Sequence, residues 1–442
     1  MERERSDRRG SATGTATVPA RPPLRAAVRA LAWREAWGVL WSSRLAVWGA
    51  GLLGVLWLGR AQGTEPFDPA GLTTPFSPLA DLLVAPAARW DTVWYVAIAQ
   101  DGYADPGDNA KAAFFPLYPL LMRGLAWLVG SPLLAGMLIS IGCFLLALVL
   151  LQRLATIELG PAHAHGTLLL VAFFPTAFFF SAVYTESLFL LLTVATLLAA
   201  RQGRWAWAGV LGALAASTRN TGLLLMLPVA LLFLYGPRAD RPLEVEPPAS
   251  RLRPRHPLTR QVLWIGLIPL GLIAYLTYAG FALGDALAPF HAQDLWARDF
   301  APLGAITGGV RAAWLGLRQL EHGLPTPVYF SESDGDPFVV AGQSLMLLGF
   351  LIFALVALAG ALRRLPIAYG AYAAVALAVA LSYPVDAQPL MSLPRYVAVL
   401  FPLHMWLARW SAERGRLDRA VAISAVLLGV LTVQFARWGF VA

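Results

Sequence analysis

The chain has 442 residues, 58% of them hydrophobic and only 14% charged, with a mean hydropathy of +0.61. Soluble domains carry about a quarter charged residues, so an ordinary wetted surface is excluded. A single cysteine, Cys143, excludes an internal disulfide and any cysteine-cluster metal site, while the net charge of +8 leaves a basic balance to be placed.

Apolar runs of about twenty residues recur, each long enough to cross roughly 30 Å of hydrocarbon as a helix. Lipid cannot hydrogen-bond a bare backbone, so the expected class is an all-α polytopic membrane protein. Residues 1–44 hold nine arginines and read as a basic cytosolic tail leading into a surface helix around 25–41. They are too long and too charged for the n-region of a cleaved signal peptide, so no processing is expected. Spans are predicted near 45–60, 133–152, 166–182, 186–200, 205–218, 221–235, 262–281, 338–361, 366–383, 396–410 and 420–437, about eleven in all. They divide into an N-terminal module (45–235) and a C-terminal module (261–442). The linker between them, 236–260, carries six arginines and six prolines and reads as a hinge. No internal repeat is visible, so inverted-repeat transporter architecture gains no support.

With the N-terminus cytosolic, the inner segments collect 24 of the 34 Lys and Arg but only 10 of the 26 Asp and Glu. Basic residues near span ends mark the cytosolic side, and Arg153, Arg201, Arg204, Arg363, Arg364 and the run Arg409 to Arg419 all fall there. The basic balance is thereby assigned to cytosolic loops of a multi-pass cell-membrane protein, not to nucleic acid. Two long loops, 61–132 and 282–337, then face the extracytosolic side. The second contains PFHAQDLWARDF and ends in SESDGDP.

The first of these loops carries the stretch Arg89–Pro119, with four aspartates among aromatics and prolines. Trp90, Trp94 and Ile98 fall at i, i+4 and i+8, one apolar stripe on a helix in the interface plane. Asp91 stands at its start, either as an N-cap for the residues that follow or as an ionised base facing a headgroup. Asp101, Asp105 and Asp108 read as turn-formers beside Gly102, Pro106 and Gly107. The run FFPLYP, Phe114–Pro119, cannot open as a regular helix and reads as a rigid aromatic turn, a groove wall or a belt anchor. Later, Tyr184 and Glu186 sit at one outer hairpin, Arg219 and Asn220 in STRNTG at the next, and Arg395 in LPRY at a third. Charges so near hydrocarbon are paired, functional or snorkelling. Two arginines, a carboxylate and aromatics at one face suggest capture of an anionic lipid headgroup, because a guanidinium fork suits phosphate. His291, Gln293 and Asp294 are weaker candidates for a polar acceptor. No His/Asp/Glu cluster has metal-ligand spacing, and no phosphate-binding glycine loop is present.

With these residues laid out, the chain resembles the PIG-V family of mannosyltransferases. The resemblance rests on RWD (Arg89–Asp91), WYVAIAQDGY (Trp94–Tyr103), the run Asn109–Pro116, YTESLF (Tyr184–Phe189), STRNTG (Ser217–Gly222), and LPRY followed by FPLH. It implies a GT-C-type bundle with interfacial helices in the first outer loop, and transfer of a mannosyl unit from a polyprenyl-phosphate sugar to a lipid or glycan acceptor. It also implies an acidic base in that loop, a position Asp91 matches. Arg219, Arg395 and Arg89 would then bind the donor phosphate. Trp90, Trp94, Tyr95, Phe114, Phe115, Tyr118, Tyr184, Glu186 and Asn220 would line the substrate and lipid groove. No cofactor is named, and a divalent cation stays open. Arginine in place of lysine and Ala- and Gly-rich spans look bacterial, so the reaction type is expected to carry over without the family's acceptor. The basic linker has no counterpart in the family pattern. Two rival readings are a lipid or solute transporter and a non-catalytic subunit that binds lipid-linked sugar.

Overall fold

A computed structural model describes residues 24–59 (side chains from residue 30), 67–103, 110–241, 254–323 and 336–441. Asp105, Asp108, residues 1–23 of the tail, 242–253 of the linker and 331–335 of the second loop lie outside the described residues. What is described is helical, apart from two isolated bridges, Arg238 with Arg241 and Arg298 with Val385.

Helix α1 (Leu24–Leu58) is followed by three helices in the first long loop: α2 (Pro78–Val84), α3 (Thr92–Asp101) and α4 (Leu117–Val129). Tight 3-10 turns at Ala85–Ala87 and Ala110–Ala113 separate them. Pro116 and Pro119 do not prevent α4. They occupy its cap and first turn, where a missing N–H costs nothing. Helix α4 buries Tyr118 and Met122 and exposes Leu120, Leu121, Trp127 and Leu128, so it has the form of an interfacial helix. Next come α5 (Pro132–Leu159), α6 (Pro161–Ala172), α7 (Glu186–Arg201), α8 (Trp205–Ala216) and α9 (Met226–Leu234). Beyond the linker lie α10 (Leu270–Ala282), α11 (Ala288–His291), α12 (Gly304–His322), α13 (Pro337–Arg364), α14 (Ile367–Leu381), α15 (Leu393–Val399), α16 (Phe401–Ala412) and α17 (Leu417–Ala436). The second long loop thus contains a 19-residue helix, α12. Its small residues press it onto α13: a Cβ added to Gly316 would sit 3.0 Å from the Cα of Ala341.

Among the described residues, five segments are long and apolar enough to cross a membrane: Ala30–Leu58, Pro132–Leu159, Arg260–Ala282, Pro337–Arg364 and Leu417–Ala436. The chain is a polytopic membrane protein. At the other six predicted spans the helices run only 9 to 16 residues. Proline accounts for three of the interruptions. Pro175 follows the end of α6, Pro228 marks the passage from 3-10 to α9, and Pro402 divides α15 from α16. Broken helices within a bundle leave backbone carbonyls that neighbouring groups must satisfy.

Arg44 satisfies one such set. Sequence places Arg44 at the end of a tail, with a span beginning at 45, but α1 is continuous through it and Arg44 is buried. Its Nη1 donates to the carbonyl of Ala177 (2.7 Å) and to Ser181 Oγ (3.0 Å), and its Nη2 to the carbonyl of Ala172 (3.1 Å). These acceptors lie on either side of the break at Pro175. The guanidinium also covers the Phe144 ring at 4.9 Å. Arg44→Met keeps the bulk and removes every donor. The expected result is a lower melting temperature in detergent, each stranded carbonyl costing roughly 1–3 kcal/mol. An unchanged melting temperature would show that the break does not depend on Arg44.

Helices from the two ends of the chain interleave, α17 along α1 and α16 against α6. Polar contacts distinguish the two ends of the bundle. At one, Glu158 Oε1 accepts from Arg201 Nε (2.7 Å) and from Tyr369 Oη (2.9 Å), tying the ends of α5 and α7 to the start of α14. Near the same end of α7, Arg238 is buried on Asp240 and stacks over Trp205, anchoring the start of the linker. The loops after α1, α6, α8, α10 and α14 meet at the opposite end, around a cavity.

Candidate active site

The cavity encloses about 750 Å³, within the range of small-molecule sites. Trp90 and Asp91 form part of its wall. Trp90 adopts a left-handed backbone (φ 54°), unfavourable for a bulky side chain. The surroundings enforce it: the indole lies among the rings of Phe67, Trp438 and Phe440, at 4.9, 5.7 and 5.5 Å. The Tyr184 hydroxyl grips the backbone on both sides of the kink, donating to the carbonyl of Arg89 (3.0 Å) and accepting from the amide of Asp91 (3.1 Å). Trp90 therefore precedes α3 and does not share a helical stripe with Trp94. Along α3 itself, Tyr95 and Ile98 are buried against protein, not laid on lipid.

Asp91 stands at the start of α3, but its carboxylate makes no capping bond. It turns instead to Arg395, whose Nη1 donates to Oδ2 at 2.6 Å. Arg395 Nε donates to Glu186 Oε1 at 2.8 Å, and Arg219 Nη1 donates to the same oxygen at 3.0 Å. Four charged side chains from α3, α7, α15 and the turn after α8 thus form one relay, Asp91–Arg395–Glu186–Arg219. Glu186 is fully buried behind the cavity, in the first turn of α7, where the helix dipole favours a carboxylate. The Arg395 guanidinium lies over Tyr184 at 4.7 Å, and that of Arg219 over Tyr396 at 5.1 Å. Asp91 keeps 27% of its side chain exposed, and Oδ1 accepts no hydrogen bond from the described residues.

Ten of the predicted site residues line the cavity: Asp91, Arg219, Arg395, Trp90, Trp94, Tyr95, Phe114, Phe115, Asn220 and Gln293. Trp94 stacks on Phe114 at 5.7 Å, and Trp296 meets Phe114 edge-on at 5.8 Å, forming an aromatic wall. The other six do not line it. Arg89 is buried outside the cavity lining, with Nε on the carbonyl of Ala436 (3.0 Å) and the guanidinium beside Trp438. Tyr118 donates to the carbonyl of Gly136 (2.9 Å), joining α4 to α5, and is no groove wall. Tyr184 and Glu186 support the site from behind. His291 is exposed and paired with Asp285 (2.7 Å), whose carboxyl is held below its usual range by that bond, then by the Leu287 amide. Asp294 is exposed outside the cavity.

Sequence reasoning missed Lys111, Arg298, Tyr396 and Trp296, all in the cavity wall. Lys111 is the only lysine in the chain, and Tyr396 follows Arg395 directly; those were the available signals. Asp91 is the sole acidic residue of the described lining, against Lys111, Arg219, Arg298 and Arg395. Such a wall suits an anion. It fits a divalent cation poorly, since the carboxylate that reaches the cavity is bonded to a guanidinium and flanked by cations. Among the described residues no group of three or more His, Cys, Asp or Glu could hold a metal ion.

Residues 77–231 match the family model for mannosyltransferase (PIG-V). Over that segment the chain is similar to the PIG-V family. GPI alpha-1,6-mannosyltransferase 2 from Rattus norvegicus is 33% identical over 162 residues, covering 33% of this chain and 31% of the rat protein. Proteins of the same name from Cricetulus griseus and Homo sapiens are 32% and 30% identical, over 36% of this chain and 34% of each relative. The match therefore spans about a third of the relatives' length. No solved structure matches. Asp91, Glu186 and Arg219 lie inside the segment that matches the family model, whereas Arg298 and Arg395 lie beyond it. Folding brings Arg395 onto the two carboxylates of the matched region, Asp91 and Glu186.

Proposed function

We propose that the chain is a membrane mannosyltransferase that moves a hexosyl unit from a polyprenyl-phosphate sugar to an acceptor hydroxyl. The observation carrying this reading is the relay that aims the Asp91 carboxylate into a cationic, aromatic cavity, two of its carboxylates and one arginine coming from the PIG-V region. Asp91 Oδ1 takes the proton from the acceptor hydroxyl as that oxygen bonds to the anomeric carbon. The bond from that carbon to the phosphate oxygen breaks on the opposite face, with inversion. Phosphate is a good leaving group and needs little protonation, so one base suffices. Arg395 and Arg219 stabilise the charge developing on it, an effect commonly worth about 3–4 kcal/mol. The aromatic wall receives the sugar and the first units of the lipid tail.

Orientation follows the same reading. Arg201, Arg204, Arg238, Arg364 and Arg409 lie at the end opposite the cavity, so cytosolic placement of basic residues makes the cavity extracytosolic. In this proposal the short, broken helices complete an eleven-pass bundle of GT-C type. The test is genetic and chemical: compare envelope glycolipids and glycoproteins of a strain lacking the gene with its parent. A mannosylated species should disappear, return with the wild-type gene and not return with Asp91→Asn. An unaltered envelope, or full rescue by Asp91→Asn, counts against the proposal.

A further inference from the structure

We propose that Arg298 is the residue that binds the donor's phosphate in the ground state; this rests on the transferase reading. Within the relay, Arg395 and Arg219 face Asp91 and Glu186, two cations against two carboxylates. Their charge is balanced before any substrate arrives. Arg298 differs. It reaches the same cavity from the second long loop, and its guanidinium is held only by neutral acceptors: Nη1 donates to the carbonyl of Tyr383 (3.3 Å) and Nη2 to Ser392 Oγ (3.0 Å). No carboxylate of the described residues pairs with it.

The placement of Arg298 is built, not incidental. Its backbone bridges to Val385, so the α11–α12 connection is fixed to the turn before α15. Ser392, which holds its fork, adopts a left-handed backbone (φ 68°) and opens the helix that carries Arg395. One short turn thus carries both the arginine committed to the base and the anchor of the uncommitted one. A guanidinium with neutral partners can exchange them for a phosphate at low cost, and a phosphate gains two parallel charge-assisted bonds from it. The Arg298 charge, added to the balanced relay, matches a lipid phosphate better than a neutral glycolipid.

The experiment measures equilibrium binding of radiolabelled short-chain polyprenyl phosphate to the purified full-length protein in detergent. It is joined to kcat and KM for polyprenyl-phosphate mannose. Arg298→Gln should weaken phosphate binding about tenfold to a hundredfold and raise KM far more than it lowers kcat. Arg298→Lys should fall between, keeping charge without the fork. Ser392→Ala removes the anchor but leaves the charge, so binding should stay within about threefold of wild type. Unchanged binding in Arg298→Gln overturns the inference, as does an equal loss in Ser392→Ala, which marks Arg298 as a mere brace for the turn. Should Arg298→Gln not fold, Arg298→Lys and Ser392→Ala decide on the same criteria. Wild-type protein that binds lipid phosphate independently of Arg298 leaves the transferase reading intact, whereas wild-type protein that binds none removes both.

Discussion

Asp91→Asn is expected to lower the transfer rate by about 10²–10⁴-fold, the usual contribution of a positioned general base. Asparagine keeps the shape, and its amide oxygen can still accept from Arg395 Nη1, so the relay loses a charge without losing its geometry. The melting temperature should move little by comparison. Asp91→Glu sharpens the test, because one extra methylene displaces a carboxylate now aimed by a 2.6 Å bond, and a misplaced base is a poor one. Initial rates on purified protein, normalised to its folded fraction, check both variants. Asp91→Asn working near the wild-type rate would remove the base assignment.

Glu186→Gln should be the most disruptive single change in stability. Glu186 is the only carboxylate that both arginines share, and it is fully buried. Glutamine leaves the buried Arg395 and the half-buried Arg219 beside one remaining carboxylate, and removing one partner of a buried ion pair costs about 3–5 kcal/mol. Activity should fall with stability, because Arg395 then lacks the contact that aims its other arm at Asp91. Glu186→Leu combined with Arg219→Leu separates the two effects. Removing the pair together should restore part of the melting temperature but not the turnover. Equal stability and turnover in Glu186→Gln and wild type would make the relay incidental.

Much of the site was legible because short motifs fixed which polar residues approach hydrocarbon. Asp91 comes from the first long loop and Arg219 and Arg395 from two hairpins, and Glu186 links them into one relay. What the sequence hides is direction. Arg89 precedes Asp91 by two residues yet points the opposite way, because the left-handed backbone at Trp90 reverses the chain between them. Glu186 reads as a groove residue at an outer hairpin, but Pro175 breaks the preceding helix and the next begins inside the bundle, where Glu186 is buried. Arg44 reads as a membrane boundary for a related reason: hydropathy counts charge, whereas the fold supplies three acceptors from a break more than a hundred residues away. Arg298 was invisible because its meaning lies in what does not pair with it. That depends on the turn before α15, far off in sequence and adjacent only after folding.

The most direct measurement of the central claim gives purified protein radiolabelled polyprenyl-phosphate mannose together with membrane lipids and envelope glycans extracted from its own source. The account predicts label in a new product, stoichiometric release of polyprenyl phosphate, and loss of both with Asp91→Asn. Label that stays bound to its lipid carrier, or crosses a proteoliposome membrane without leaving it, would contradict the account.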